Sequence, residues 1–236
     1  MKKHDTAIIF IHGILEGPNQ FSDMIEAVED KCDTKAVLLP GHGKTGSDFA
    51  RSGMKEWQSY TDKVIQSLRN EYEKIYIVGH SMGCLTSICS AVKNPEKICG
   101  LFMIAPPFSI RLNKRGIKNG LIVAFNISQK DEEFCRLIKS VYSVSDCKLS
   151  DYPRWIPRYE ELMRKSIEIR EILSKLTVPM YCIFSQKDEY VSTKSIKYLA
   201  GFKNYRLLIL NRSGHFYYTV EERKKIIEEF IKFIGI

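Results

Sequence analysis

One serine stands where a hydroxyl can be given chemical work. The stretch Ile77-Val78-Gly79-His80-Ser81-Met82-Gly83-Cys84 holds Gly-x-Ser-x-Gly between an apolar run and a helix-forming run. In that strand–turn–helix context the serine occupies the apex of a sharp turn. The apex needs strained backbone angles, and a β-carbon at position 79 or 83 would collide with the neighbouring chain, so glycine fills both. The turn lifts the Ser81 hydroxyl out of a sheet. It also aims the first N–H groups of the next helix at the same spot, where they favour negative charge. A serine hydroxyl is a poor nucleophile until a base takes its proton.

Five histidines are available for that task. His4 lies in the opening stretch and His42 in the loop Pro40-Gly41-His42-Gly43. His80 is the variable residue of the motif and points away from the apex. His215, in Ser213-Gly214-His215-Phe216, falls between an apolar run and the last helix and is the expected base. Asp188, in Ser185-Gln186-Lys187-Asp188-Glu189-Tyr190-Val191, follows another apolar run. It is the acid expected to fix the His215 tautomer and stabilise its imidazolium. Glu189 is its neighbouring competitor, and helix capping is the non-catalytic role open to Asp188. The order Ser81, Asp188, His215 is the one that goes with this kind of elbow. A tetrahedral intermediate also needs two N–H donors for its oxyanion. Met82 supplies one. Ile14, in the loop Ile11-His12-Gly13-Ile14-Leu15-Glu16-Gly17, is expected to supply the other. There Gly13 permits the turn, and His12 is a structural residue whose ring bonds loop backbone.

These residues must be held by a scaffold, and the apolar pattern describes one. Ala7–Ile11, Ala36–Leu39, Ile75–Val78, Ile98–Ile104, Met180–Phe184 and Arg206–Leu210 are short runs largely without strict alternation. Buried parallel strands covered by helices on both faces read this way. Helical stretches lie between them at Phe21–Asp30, Trp57–Tyr72, Met82–Asn94 and Val220–Phe233. The alternation implies a mostly parallel six-stranded α/β sheet with right-handed crossovers. It breaks between Pro106 and Thr177, where helices are expected near Asp131–Ser143 and Arg158–Leu173, joined by the proline- and aromatic-rich Cys147–Pro157. The expected organisation is a core over residues 1–106 and 178–236 with a helical cap inserted at 107–177. Ligands of open α/β sheets bind at the strand carboxyl ends, beneath such a cap.

Composition removes other classes. The chain has 236 residues, 44% hydrophobic and 27% charged, as a folded domain does. Its 36 Lys and Arg exceed 28 Asp and Glu by eight. The surplus is dispersed, densest at Arg111, Lys114, Arg115 and Lys118, and no nucleic-acid-binding signature accompanies it. The seven cysteines are irregularly spaced and lack Cys-x-x-Cys, so neither a disulfide framework nor a zinc site is expected. The first apolar run is too short to span a membrane and ends at His12-Gly13 rather than at a cleavage site. A cytoplasmic protein is expected.

His12-Gly13, Pro40-Gly41-His42-Gly43, Gly79-His80-Ser81-Met82-Gly83, Asp188 and Gly214-His215 together resemble the α/β-hydrolase superfamily. Within it, the short chain is similar to the carboxylesterase and monoacylglycerol-lipase-like group. The resemblance covers about residues 5–105 and 178–236 and not the cap. It implies the minimal form of the α/β-hydrolase fold, with no room before Thr6 for extra strands. It also implies Ser81 as nucleophile, Asp188 as acid, His215 as base, and Ile14 and Met82 as oxyanion donors. No cofactor or metal is implied.

The cap's apolar residues, Phe108, Ile110, Leu112, Ile117, Leu121, Ile122, Val123, Phe125, Tyr152, Trp155, Ile156, Tyr159, Leu162 and Met163, are shared between packing and an acyl pocket. The expected substrate is an uncharged ester, either a short-to-medium acyl ester or a monoacylglycerol. Transient contact with lipid is compatible with this; nucleic acid is not an expected partner. Thioesterase, acyltransferase, haloperoxidase and C–C hydrolase chemistry use the same triad. An aminopeptidase would need an acidic pocket for an amine, with Glu132, Glu133, Glu160 and Glu161 as candidates. Ser81 excludes a dehalogenase, which needs aspartate at the elbow. A non-catalytic binding protein on this scaffold is the alternative of a different class.

Overall fold

A computed structural model describes residues 3–111, 113–114 and 140–236. Six strands form one sheet: β1 (Thr6–Ile11), β2 (Asp33–Val37), β3 (Lys74–His80), β4 (Ile98–Ile104), β5 (Met180–Ser185) and β6 (Tyr205–Leu210). The order is β2-β1-β3-β4-β5-β6 and every pair is parallel. All six carboxyl ends therefore lie along one edge. Register aligns Ile11 with Gly79 and Gly79 with Met103, so the loops after β1, β3 and β4 start level.

The helices are α1 (Ser22–Glu26), α2 (Gly46–Arg51), α3 (Met54–Leu68), α4 (Met82–Lys93), α5 (Tyr152–Ile172) and α6 (Val220–Ile234). One apolar layer joins the sheet to α3, α4 and α5, with Trp57, Ile77, Leu85 and Met103 inside it. The other joins the opposite face to α6, through Phe10, Phe102, Ile226 and Phe230. The central strands are buried on both faces, which explains their continuous apolar runs. The edge strands are not. β6 alternates buried and exposed residues near its end, and in β2 only Val37 is buried.

Edge position accounts for one correction. The apolar run Ala36–Leu39 marks only the end of β2, whose polar start, Asp33-Thr34-Lys35, pairs with β1. Leu38 and Leu39 belong to the following loop. The first helix is shorter than the stretch Phe21–Asp30 indicates, and α3 begins at Met54 rather than Trp57. Helix α2 lies outside the expected set, although its capping box is written in the sequence: the Thr45 hydroxyl accepts the Asp48 N–H and the Asp48 carboxylate accepts the Thr45 N–H. Helix α5 starts six residues before Arg158. Pro153 sits in its first turn, where a missing N–H costs nothing, so the proline-rich stretch starts the helix instead of linking to it.

Helix α5 is the described part of the inserted helical region, and it packs on α2, α3 and α4. The expected helix Asp131–Ser143 falls almost wholly outside the described residues, as do Leu112, Ile117, Leu121, Ile122, Val123 and Phe125, the basic Arg115 and Lys118, and Glu132 and Glu133. Of the remaining expected pocket residues, Phe108, Trp155 and Leu162 are buried in packing. Of the cysteines, Cys32, Cys84, Cys89 and Cys182 are buried, and all six described ones are unpaired.

Trp155 is the anchor of α5. Its ring meets Phe49 edge-on at 5.1 Å and its indole N–H donates to the Gly46 carbonyl at 2.9 Å. Trp155→Ala should lower unfolding free energy by about 3–5 kcal/mol. Urea denaturation checks this; a loss under about 1 kcal/mol would mean that α5 is not part of the folded core.

Candidate active site

Ser81 sits between β3 and α4 with φ 49° and ψ −120°. Its N–H donates to the Ile104 carbonyl at 2.9 Å, and its carbonyl accepts the Cys84 N–H at 3.0 Å. A β-carbon on Gly79 would lie 2.8 Å from the Cys84 nitrogen, and one on Gly83 would overlap the Ile11 carbonyl. Glycine at both positions is thus a requirement of close packing, as the motif indicates.

The Ser81 Oγ is 3.1 Å from His215 Nε2, and His215 Nδ1 is 2.8 Å from Asp188 Oδ2. All three side chains are buried. Each comes from a loop at a strand carboxyl end: Ser81 after β3, Asp188 after β5 and His215 after β6. The second Asp188 oxygen accepts the Tyr190 and Val191 N–H groups at 2.8 and 2.7 Å. That is a local side-chain turn and not a helix cap, because the next helical turn, Thr193–Leu199, is capped by the Ser192 hydroxyl, which accepts the Lys194 N–H at 3.2 Å.

Burial pushes the Asp188 carboxyl up, but the His215 imidazole and the two N–H groups outweigh it and hold the pKa below its ordinary value. Burial pushes His215 down, but Asp188, with Glu16 and Glu189 behind it, raises it above the ordinary 6.5. Glu189 stands on the other side of His215. Its carboxylate accepts the His215 N–H at 2.9 Å and so fixes the backbone of the base.

Ile14 lies in the loop after β1, and Met82 is the first residue of α4. Among the described residues no acceptor meets either amide. His12 stands beneath this loop. Its Nδ1–H donates to the Gly13 carbonyl at 2.8 Å and its Nε2 accepts the Leu39 N–H at 3.1 Å. His42 does the same from the other side, its Nε2 accepting the Leu15 N–H at 3.1 Å and its Nδ1 facing the Pro40 carbonyl at 3.3 Å. Leu15 has φ 65°, a left-handed conformation that this bond helps to hold.

Two further residues complete the neighbourhood. Glu16 is fully buried and its carboxylate faces His80 Nδ1 at 2.8 and 2.9 Å. His80 Nε2 lies 3.1 Å from the His215 carbonyl oxygen. Glu16, His80 and His215 bring ligand-type atoms within 4.8 Å of one another. Every one of these side chains already has a protein hydrogen-bond partner, so the cluster has the chemistry of a hydrogen-bond network rather than of an open metal centre. No sequence signal singles out Glu16, because His80, 64 positions later, is brought to it only by the fold. Arg111 belongs to the site's frame as well: its guanidinium donates to the Asp188 carbonyl at 2.9 Å, so the basic stretch there is not wholly a surface.

A parallel sheet with a serine elbow, and a histidine and an aspartate delivered by later strands, defines a serine hydrolase of the α/β-hydrolase fold. The chain belongs to the family described as serine aminopeptidase, S33, whose profile matches residues 2–204. It is 27% identical, over 95% of this chain and 88% of the relative, to the uncharacterized hydrolase YugF of Bacillus subtilis. It is 23% identical, over 95% of this chain and 93% of the relative, to the pimeloyl-[acyl-carrier protein] methyl ester esterase of Wigglesworthia glossinidia brevipalpis. Among solved structures, one from a study of two metagenome-derived lipolytic enzymes, LipS and LipT, matches with a TM-score of 0.74 at 19% identity, covering 98% of this chain and 94% of that one. Among the described residues no helix is long and apolar enough to cross a membrane.

The two supporting histidines set a pH dependence of stability. Burial lowers His12 to about 4 and His42 to about 3, so both stay neutral in the folded protein. Unfolded, they take up protons near 6.5. Their contribution is complete above 6.5 and is lost as pH falls, by about 3 kcal/mol for His12 near pH 4. His215 has the opposite sign: its contribution is complete below 6.5 and is lost as pH rises through its raised value. Unfolding free energy should therefore decline from about pH 6.5 downward, before most carboxylates titrate. Urea unfolding at stepped pH checks this; a flat profile between 6.5 and 5 would contradict the neutral, buried state of both rings.

Proposed function

We propose that the protein hydrolyses uncharged carboxylic esters, either short-to-medium acyl esters or monoacylglycerols, through an acyl-enzyme on Ser81. The observation that carries this reading is the buried chain from Ser81 Oγ through His215 to Asp188, at 3.1 and 2.8 Å. His215 accepts the Ser81 proton as Oγ attacks the ester carbonyl. The developing oxyanion takes the Ile14 and Met82 N–H groups, whose lack of other acceptors among the described residues supports that role. His215, held by Asp188, returns the proton to the leaving alcohol, and the acyl group stays on Ser81. Water then gives its proton to His215 and attacks the acyl carbonyl. The proton passes back to Ser81 as the acid departs.

Uncharged substrates are favoured by what surrounds the base. The rings of Phe216 and Tyr190 stand 4.6 and 5.3 Å from His215, and the tilted ring of Tyr142 lies 5.6 Å from that of Phe216. The esterase and lipolytic names of similar proteins agree with this chemistry.

The family description brings forward a second reading, removal of amino-terminal residues from peptides. That reaction needs an anion for the substrate amine. Glu161 is occupied by Arg158 and the Met54 N–H, and Glu160 pairs with Arg164. Glu16 and Glu189, the buried carboxylates beside the base, are occupied by His80 and by the His215 N–H. Among the described residues, ester hydrolysis therefore has the stronger support.

Ser81→Ala should abolish turnover of p-nitrophenyl esters, by on the order of 10⁶-fold in kcat, with Tm retained. A fluorophosphonate should leave its adduct on Ser81. A series of acyl esters and monoacylglycerols compared by kcat/KM assigns the substrate; faster cleavage of amino-acid arylamides than of any ester would overturn the reading.

Because His215 must be neutral to act, activity falls as pH drops through its value. The acid limb of kcat/KM should lie above 6.5, and Asp188→Asn should cost about 10⁴-fold. A limb below 6.5 would mean that Asp188 does not raise the base.

A further inference from the structure

The mechanism leaves one buried charged group without a part. Glu16 lies five residues past the end of β1, is 1% exposed, and takes no direct place around Ser81. Its carboxylate accepts the Gly13 N–H and the Gln20 amide, each at 2.6 Å, and faces His80 Nδ1 at 2.8 and 2.9 Å. It occupies the space that a β-carbon on Gly13 would need. Burial raises the Glu16 pKa, but His80, His215 and the Gly13 N–H together outweigh burial and hold it below its ordinary value, so the carboxylate is ionised. Burying a charge this deeply is costly unless every lone pair is used. Here the donors come from separate segments of the site.

From His80 the chain of contacts continues. His80 Nε2 reaches the His215 carbonyl at 3.1 Å, the oxygen that Tyr218 hydroxyl also meets at 3.2 Å. On the other side of the same residue, Glu189 holds the His215 N–H. The base is thus gripped at its side chain by Asp188 and at its backbone by Glu189, His80 and Tyr218. Gly13 adjoins Ile14, His80 adjoins Ser81, and His215 is the base itself. The path Gly13 N–H, Glu16, His80, His215 carbonyl therefore links the oxyanion loop, the elbow and the base loop through one buried carboxylate.

We propose that Glu16 and His80 are positioning residues that hold these three segments in register for catalysis. This rests on the serine-esterase reading of the same site. Misplacing a reacting group by about 1 Å can cost on the order of 100-fold in rate, so such a link is of a size to govern kcat. Glu16 also acts through charge. The groups facing His215 are Asp188, Glu189, Glu16, His80, Ser81, Tyr190 and Tyr218, and the Glu16 carboxylate adds to the rise in His215 basicity.

The test compares Glu16→Gln, which keeps the shape and removes the charge, with Glu16→Asp, which keeps the charge and shortens the reach. In Glu16→Gln, kcat should fall about 10–100-fold while KM moves less than about threefold, and the acid limb of kcat/KM should shift to lower pH. In Glu16→Asp, kcat should fall while the limb stays near its wild-type position. Folded variants with wild-type kcat and an unmoved limb would overturn the proposal. So would failure of both to fold, which would assign Glu16 to stability rather than to positioning. Wild-type ester turnover and Ser81 labelling by a fluorophosphonate are measured alongside. Their absence overturns the esterase reading together with this one, whereas their presence with unaltered variants overturns this one alone.

Discussion

Helix α4 begins closer to the sheet than any side chain would allow. Gly83 meets the Ile11 and His12 carbonyls, and Gly79 meets the backbone of Cys84, with no space for a β-carbon at either place. This contact forces the left-handed angle at Ser81, a strain of about 1–3 kcal/mol for a residue with a side chain. The strain persists because the surroundings leave no other path. From Met82 to Ala91 the helix is buried, and the Ser81 N–H is tied to the Ile104 carbonyl of β4. The same contact brings the first turn of α4 against the end of β1. Two loops of different origin thereby come to share one space beside Ser81.

Around that point the fold buries an unusual set of polar groups and satisfies each in a different currency of charge. His12 and His42 are kept neutral by burial, which suits them to accept backbone N–H groups through Nε2. Asp188 and Glu16 are kept ionised by their histidine partners. The neutral rings sit under the oxyanion loop and the ionised carboxylates beside the base. A buried network of this kind is stable only when complete, because each orphaned member would cost about 1–3 kcal/mol or more. Completeness makes it rigid, and rigidity is what preorganised donors require.

The elbow is legible because its geometry depends on local sequence. Gly79, Ser81 and Gly83 announce a turn that no other residues could make, and Asp188 and His215 follow apolar runs that had to be strands. The central strands were legible for the same reason, being apolar throughout. What lay hidden depended on partners distant in sequence. Glu16 reads as a surface residue until His80, 64 positions later, is set beside it. His42 gained its role from Leu15, 27 positions earlier. β2 is displaced because an edge strand needs only one apolar face, and α5 because Pro153 in its first turn and Pro157 inside it resemble the prolines of a linker. Helix α2 is the exception: its Thr45–Asp48 box is local, but its six residues are too few to show an apolar period.

The insertion is fastened by main-chain hydrogen bonds to two of the loops at the strand carboxyl ends. At one end Ser109 and Arg111 bond the backbone of Ser192 and Tyr190, in the loop that carries Asp188. At the other, Val141 and Ser143 bond Gly17 and Leu15, in the loop that carries Ile14, while Ser145 pairs with Thr45 beside α2. The segment that contributes Tyr142 to the aromatic surround of His215 is therefore hydrogen-bonded to the oxyanion loop itself. The two ends of the insertion are thus tied by main-chain hydrogen bonds to the loops that carry Asp188 and Ile14, so the positions of these three segments are set together.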